Sequence, residues 1–447
     1  MGEQAHRAVE AGEREEDGQD DVPGSSQHND DHTSTSCRCM RGGRTIPSLL
    51  MLERDPRRGR YSRHVARKSI RDRLARLEPP GRVPGLDIAR ALALIGMFAA
   101  HLLYQEELVW SDPATWSGLV NGRPSILFAT LAGVSLALTE DPRPRDSASA
   151  RRRSSVRIAV RAALIWSVGA LLVAWTVPVY VILQTYGILF LVAILLLRLR
   201  TPALLLTAAV IAVAGPYLVA MIAEIPVEDP RLAESLFLNL GWNYPFVAWA
   251  AFIAAGIAVG RLLKQPTAAR SAALIGVGVV LAVIGYGAIG PIGDRASAAG
   301  ADSARSWWLA VLQDAPHSTG VGEMVGSGGF AIAVIGACVL LGMTGLRRPL
   351  WPLRAVGSMP LSAYTAQLVI WIWWFVAESS RPGATVLDPG SGFRATEPFW
   401  PVTLGIIAGG SLWALLIGRG PLEALVSRVA SIVAALSVRT RRRSSRR

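Results

Sequence analysis

Cysteine is scarce in this chain: Cys37, Cys39 and Cys338 are all there are, so no disulfide framework holds the fold together. Charge is scarce too, at 18% of residues against 51% hydrophobic, a balance that does not fit a soluble protein of 447 residues. It fits a polytopic membrane protein with polar tails. The positive residues are nearly all arginine and give a formal net charge of +13. Most of the arginine falls in short loops between apolar runs, as in cytoplasmic loops, so no nucleic-acid partner is expected. The apolar region has no phosphate-binding loop, no dinucleotide fingerprint and no group of metal ligands. No tightly bound cofactor and no metal site is therefore expected.

Residues 1–36 are rich in Glu, Asp, Gly, Ser and His and lack the material for a core, so they are expected to be disordered. Cys37-Arg38-Cys39 beside His32 reads as solvated tail rather than a metal site. No signal peptide is visible, the apolar run Ile46 to Leu52 being too short. Met1, Met40 and Met51 all stay open as the start. Arg63 to Glu78 reads equally as a basic helix on the membrane surface or as solvated tail. The expected division is a cytoplasmic tail over 1–80, a transmembrane domain over 82–425 and a basic cytoplasmic tail over 426–447.

After Pro84 come ten apolar segments near 86–104, 121–139, 157–176, 178–198, 202–223, 243–263, 272–291, 325–346, 357–377 and 399–418. Each is about long enough for a hydrocarbon core of roughly 30 Å. The fold class expected is all-α, a polytopic bundle of about ten transmembrane helices. Connections alternate in charge: 139–157 holds six Arg and 346–355 holds Arg347, Arg348 and Arg354, whereas 105–118 holds Glu106, Glu107 and Asp112 without Lys or Arg. That alternation predicts both termini in the cytoplasm and His101 facing outward. Trp110, Trp116, Trp175, Trp242, Trp307, Trp308 and Trp400 fall at the expected outer ends, the level where indole rings settle. Gly420 to Arg439 reads as a basic amphipathic helix on the interface, followed by a disordered Arg tail.

The first span, Gly85 to Tyr104, carries an acid, an arginine and a histidine in an otherwise apolar run. Asp87, Arg90, Leu94, Met97 and His101 recur at steps of three and four and share one helix face. Arg90 and His101 are nearly in phase and roughly 16 Å apart along the axis, so they are placed to flank one channel. Ionisable groups inside a span are costly and usually functional. Each alone reads equally as an interfacial anchor. Arg123, the only cation on the outer side of the first hairpin, reads as an anion-binding group or as an anchor. His317 and Glu323 lie in and beside the longest outer loop, 292–324, on the same expected face as His101. Gln184, Tyr186, Ser362, Tyr364 and Gln367 need partners in lipid and read first as helix-helix hydrogen bonders, then as site lining. Gly133 to Ala137, GVSLA, has the outline of a nucleophile elbow, but that motif needs a strand-to-helix turn and this one lies inside a span.

Six stretches in order, GLDIARALALIGMFAAH, GRPSILFATLAG, QTYGILFL, PHSTGVGE, GSMPLSAYTAQ and GPLEAL, resemble the bacterial YeiB-like membrane family from about Arg82 to Leu425. That family is similar to the catalytic domain of heparan-α-glucosaminide N-acetyltransferase and, more distantly, to the acyltransferase-3 membrane acyltransferases. In the last of these an Arg or Lys followed eleven positions later by His marks the first span, and Arg90 with His101 has that spacing. Many YeiB-like relatives carry Asn where this chain has His101. The resemblance implies a multi-pass plasma-membrane protein that takes an acyl group from cytoplasmic acyl-CoA, its co-substrate, and passes it to an extracytoplasmic glycan, glycolipid or small molecule. The catalytic candidates are His101 as general base with His317 and Glu323; the substrate-binding candidates are Arg90 on a donor phosphate, with Arg123, Tyr364 and Gln367. The partners expected are membrane lipids, acyl-CoA and the acceptor. The rival is a transporter or flippase with the same polar stripe as its pathway and no acyl chemistry.

Overall fold

The computed structural model describes residues 81–444 apart from 110, 142–146, 176, 301–303 and 381–388. All of these lie in the compact unit Ala66–Arg447. The expectations for the amino-terminal tail, the Cys37-Arg38-Cys39 motif, the segment 63–78 and Trp110 fall outside the described residues.

The described chain is helical, without strands. A helix α1, Pro84–Leu102, leads through a 3-10 turn, Pro113–Val120, to α2, Arg123–Thr139. Then follow α3, Ala148–Ala174; α4, Leu183–Leu196; α5, Thr201–Ala223; a short α6, Pro230–Leu240; and α7, Phe246–Leu262. Next, α8, Ala268–Val283, runs through a π turn, Ile284–Ile289, into α9, Gly290–Ala298. A short α10, Ala304–Ala310, precedes α11, Val321–Gly342. The chain closes with α12, Trp351–Gly357; α13, Pro360–Ser379; α14, Pro389–Arg394; α15, Phe399–Leu416; and α16, Pro421–Ser444. Proline opens α1, α2, α5 and α13 in the first turn, where its missing N–H would have no helical partner.

Eight of these are long and apolar enough to cross a membrane, counting α8 with α9 as one helix and the turn Pro113–Val120 with α2. The expected fourth and sixth spans are shorter: α4 has 14 residues and α7 has 17. Hydropathy reads 178–198 as continuous because Pro178 to Ile182 are apolar, and 243–263 because the run from Phe246 onward is apolar enough to carry Asn243 to Pro245 with it. The backbone there is irregular up to Ile182 and Pro245, and Val181, Ile182 and Tyr244 are buried in protein. Non-helical backbone at membrane depth is stable only when protein or a polar cavity covers it. The seventh helix is longer than expected, its helical turns continuing to Ala298. Pro216 stands inside α5, whereas Pro245 caps α7 and Pro360 opens α13.

Burial separates the centre of the bundle from its rim. In α1 and α2, 72% of the most apolar stretch is buried, against 17% in α5 and in α8–α9. Helix α7 is buried along nearly its whole length and packs between α2 and α5, while α11 packs on α8, α1 and α2. Bare backbone makes these approaches close. A Cβ added at Gly133 would collide with Ile253 O, and one at Gly256 with Thr130 O. Such small-residue contacts, rather than hydrophobic exclusion, hold helices together in lipid. The carboxy-terminal helix is helical as expected, but it packs on α3 and buries Val426, Ala430 and Ala434.

Charge placement predicts which end faces the cytoplasm. In a chain with Cys37, Cys39 and Cys338 replaced, a membrane-impermeant thiol reagent on intact cells is expected to label Ser318→Cys, in the loop before α11, and to spare Ser149→Cys, exposed at the start of α3. The reverse pattern would invert the topology.

Candidate active site

Helix α1 carries Arg90 and His101 about three turns apart, and each lines a separate cavity. The cavity at the His101 end holds about 390 Å³ and is lined by His101, Asn121, Tyr180, Tyr244, His317, Tyr364 and Arg394, among others. The irregular segments before α4 and α7 supply Pro178 to Tyr180, Ile182, Asn243 and Tyr244, which is why those helices start late. A side hollow of about 420 Å³ shares Tyr180 and Tyr244 with it and extends toward Phe237.

His101 is held from two directions. Its Nδ1 lies 3.0 Å from Gln367 Oε1, and its carbonyl accepts from Arg394 Nε at 2.8 Å. An amide oxygen only accepts, so Nδ1 carries the proton and Nε2 keeps its lone pair. The Arg394 guanidinium also lies 5.9 Å from the Trp371 ring centre. Gln367 is fully buried, and its Nε2 makes no hydrogen bond.

His317 arrives on a loop shaped by Glu323. The Glu323 carboxylate accepts from His317 N at 2.7 Å and from Thr319 N at 2.8 Å. Both residues have left-handed backbones, with φ of 63° and 55°. That conformation is uncommon for non-glycine residues and persists only where the surroundings fix it. Gly122, φ 76°, comes so close that an added Cβ would lie 3.2 Å from Glu323 Oε1. Desolvation by the surrounding loop pushes the His317 imidazolium pKa down. The ring stands edge-on to Tyr244 at 5.8 Å. Nearby, burial and then the neighbouring Asp294 raise the Asp314 carboxyl to about 6.

A second cavity, about 200 Å³ and almost wholly apolar, lies deeper and is lined by Arg90, Ser135, Phe128, Phe190 and Leu361, among others. Met97, Ile182 and Tyr364 line both this cavity and the outer one. Arg90 donates to Asp87 Oδ1 at 2.7 Å and to Ser135 Oγ at 2.9 Å, and Asp87 is also paired with Arg82 at 2.6 Å. Ser135, the serine of GVSLA, sits inside α2 and donates to Leu131 O as an ordinary helical hydroxyl.

Of the seven residues singled out by sequence, the structure brings His101, His317 and Tyr364 to one cavity wall. Gln367 and Glu323 sit behind that wall, each holding one of the histidines. Arg90 reaches the second cavity. Arg123 has the contacts of the anchor, the second of its two readings: it is 7% exposed, it donates to Tyr286 Oη at 3.0 Å in the π turn, and it lies 4.9 Å from that ring. It clamps α2 to the π turn and lines neither cavity. Tyr186 donates to Ser125 O, a helix-helix bond as expected. Sequence reasoning missed Arg394, Asn243 and Tyr180, which lie in irregular or short segments with no periodic signal.

Residues 82–288 match the family model of the heparan-alpha-glucosaminide N-acetyltransferase catalytic region. Over that stretch, a little under half the chain, the protein is acetyltransferase-like, and it contains helices long and apolar enough to cross a membrane. No curated protein and no solved structure matches the chain. The matched stretch includes Arg90, His101 and Arg123 and ends in the π turn. His317, Glu323, Tyr364, Gln367 and Arg394 lie beyond it.

Proposed function

We propose that the protein is a plasma-membrane acyltransferase that takes an acyl group from cytoplasmic acyl-CoA and hands it to an acceptor outside. The observation that carries this reading is the shared wall of Met97, Ile182 and Tyr364, the side chains that stand between the Arg90 cavity and the His101 cavity within one bundle. A thioester arm entering past Arg90 would present its carbonyl near Tyr364, within reach of an acceptor in the outer cavity. The acceptor hydroxyl or amine attacks the acyl carbon while its proton passes to His101 Nε2. The carbon–sulfur bond breaks, and the thiolate leaves and takes a proton back from the imidazolium. Gln367 fixes the tautomer this needs, and Arg394 and His317 face the acceptor. The outer cavity with its side hollow suits a polar ring, such as a single sugar unit.

The irregular segments before α4 and α7 favour a second reading, since broken helices at a central cavity also mark transporters. Incubating the purified protein with acyl-labelled acyl-CoA and a mixture of sugar and amine acceptors separates the two. Label leaving CoA faster than by hydrolysis alone supports acyl transfer. Intact thioester throughout would leave transport as the better account.

Arg90→Ala is expected to weaken CoA affinity about tenfold or more, one charge-assisted donor being worth roughly 1.5–3 kcal/mol. Arg82 still pairs with Asp87 in that variant, so the helix keeps its neutralising partner. Arg90→Lys should recover part of the loss. Titration calorimetry showing unchanged affinity for the Ala variant would reassign Arg90 to anchoring α1.

A further inference from the structure

A cavity larger than either of these belongs to neither site. It holds about 980 Å³ at the Arg90 end and is walled by the start of α3, the turn between α4 and α5, and the end of α7. Six cations line it: Arg151, Arg152, Arg198, Arg200, Arg261 and Lys264. Its two carboxylates are already paired. Asp141 accepts from Arg261 at 2.8 Å and Lys264 at 2.6 Å, and Glu140 from Arg157 at 2.6 Å and Arg161 at 3.0 Å. Arg157 and Arg161 thus add two cations behind the wall. Arg261 also donates to Leu197 O and Leu199 O, which fixes the α4–α5 turn. That turn holds Arg198 and Arg200, both exposed, at the cavity. The first turn of α5 has no side-chain cap, and Thr201 lines the cavity. Helix N-termini favour anions.

The cavity is also in line with the other two. Ile158 and Ile194 line it, while Ile165 and Phe190, seven and four residues away on α3 and α4, line the apolar cavity. The two are therefore about 10 Å and 6 Å apart along those helices. The order is basic, apolar, then polar.

We propose that the basic cavity is a binding site for phosphate esters. Its volume falls in the range of sites that hold drug-sized ligands. For a phosphorylated acyl donor the assignment rests on the acyltransferase reading, and it places the phosphates here and leaves Arg90 to the arm that follows. Anionic lipid headgroups offer the same chemistry from the bilayer.

The test uses the full chain in nanodiscs and the double variant Arg198→Ala/Arg200→Ala, whose side chains are exposed and whose loss leaves the Arg261 network in place. CoA and inorganic diphosphate are titrated in phosphatidylcholine discs, and thermal unfolding is compared between phosphatidylcholine and phosphatidylglycerol discs. A CoA affinity at least tenfold weaker in the double variant, with a shallower salt dependence and an unchanged unfolding temperature, supports the site with a soluble ligand. Unchanged CoA binding with loss of stabilisation by phosphatidylglycerol supports it with a lipid headgroup. No change in either overturns it. Arginine-dependent CoA binding without any transfer of label would refute the acyltransferase reading and leave the site standing.

Discussion

Replacing His101 with alanine is expected to lower acyl transfer by about 10² to 10⁴-fold, the usual contribution of a general base. Coupled thiol release and acceptor labelling both measure it. His101 also bonds Gln367, so alanine leaves a buried amide unpaired, at about 1–3 kcal/mol. His101→Gln restores a hydrogen-bonding group of similar reach without a basic nitrogen. It should keep the fold, as read by thermal unfolding, and lose transfer to the same extent. His317→Ala should cost less than tenfold, because His317 lines the cavity from a loop and faces Tyr244. Equal and small losses in the His101 and His317 variants would place the base elsewhere. In the proposed mechanism Gln367 positions His101: Gln367→Leu should then shift the pH profile of kcat while leaving donor affinity unchanged.

Glu323→Ala is expected to reduce transfer by at most about tenfold, the limit set by His317→Ala, by a different route. It removes the acceptor of two backbone N–H groups at residues with positive φ, each loss costing about 1–3 kcal/mol. The loop should relax, His317 should leave the cavity wall, and protease cleavage between α10 and α11 should rise. Glu323→Gln keeps one accepting oxygen and should fall between the parent and the alanine variant. A Gln variant as inactive as Ala, with the loop still protected, would mean that the carboxylate takes part in proton transfer rather than in holding the loop. Gly122→Ala tests the same geometry from the other side, since its Cβ would press on Glu323 from a left-handed backbone.

The reasons for these outcomes were partly visible in the sequence. Arg90 and His101 share a regular helix, so periodicity alone puts them on one face, and the structure places them on two cavities that share Met97 of that same face as a lining residue. The shape of the outer cavity was not visible. Its walls come from segments where the helix stops, and an apolar run such as 178–182 has the same hydropathy whether coiled or helical. Gln367 meets His101 across 266 positions, and nothing local in α13 marks it as a partner. Arg123 stayed ambiguous for the opposite reason. A lone cation on an acidic side suggests a ligand, but its partner is Tyr286, carried by a π turn that no residue pattern announced. The basic cavity was legible only as loop charge, because arginines from three separate connections converge on it.

The central claim is that one passage joins donor and acceptor from opposite faces. It is tested most directly in proteoliposomes of a single orientation, with acyl-labelled acyl-CoA sealed on the side of Arg198 and an impermeant acceptor only on the side of His317. The account predicts labelled acceptor outside and free CoA inside in equal amounts, abolished by His101→Gln. Transfer only when both substrates share one side, or acyl-CoA appearing intact outside, would contradict it.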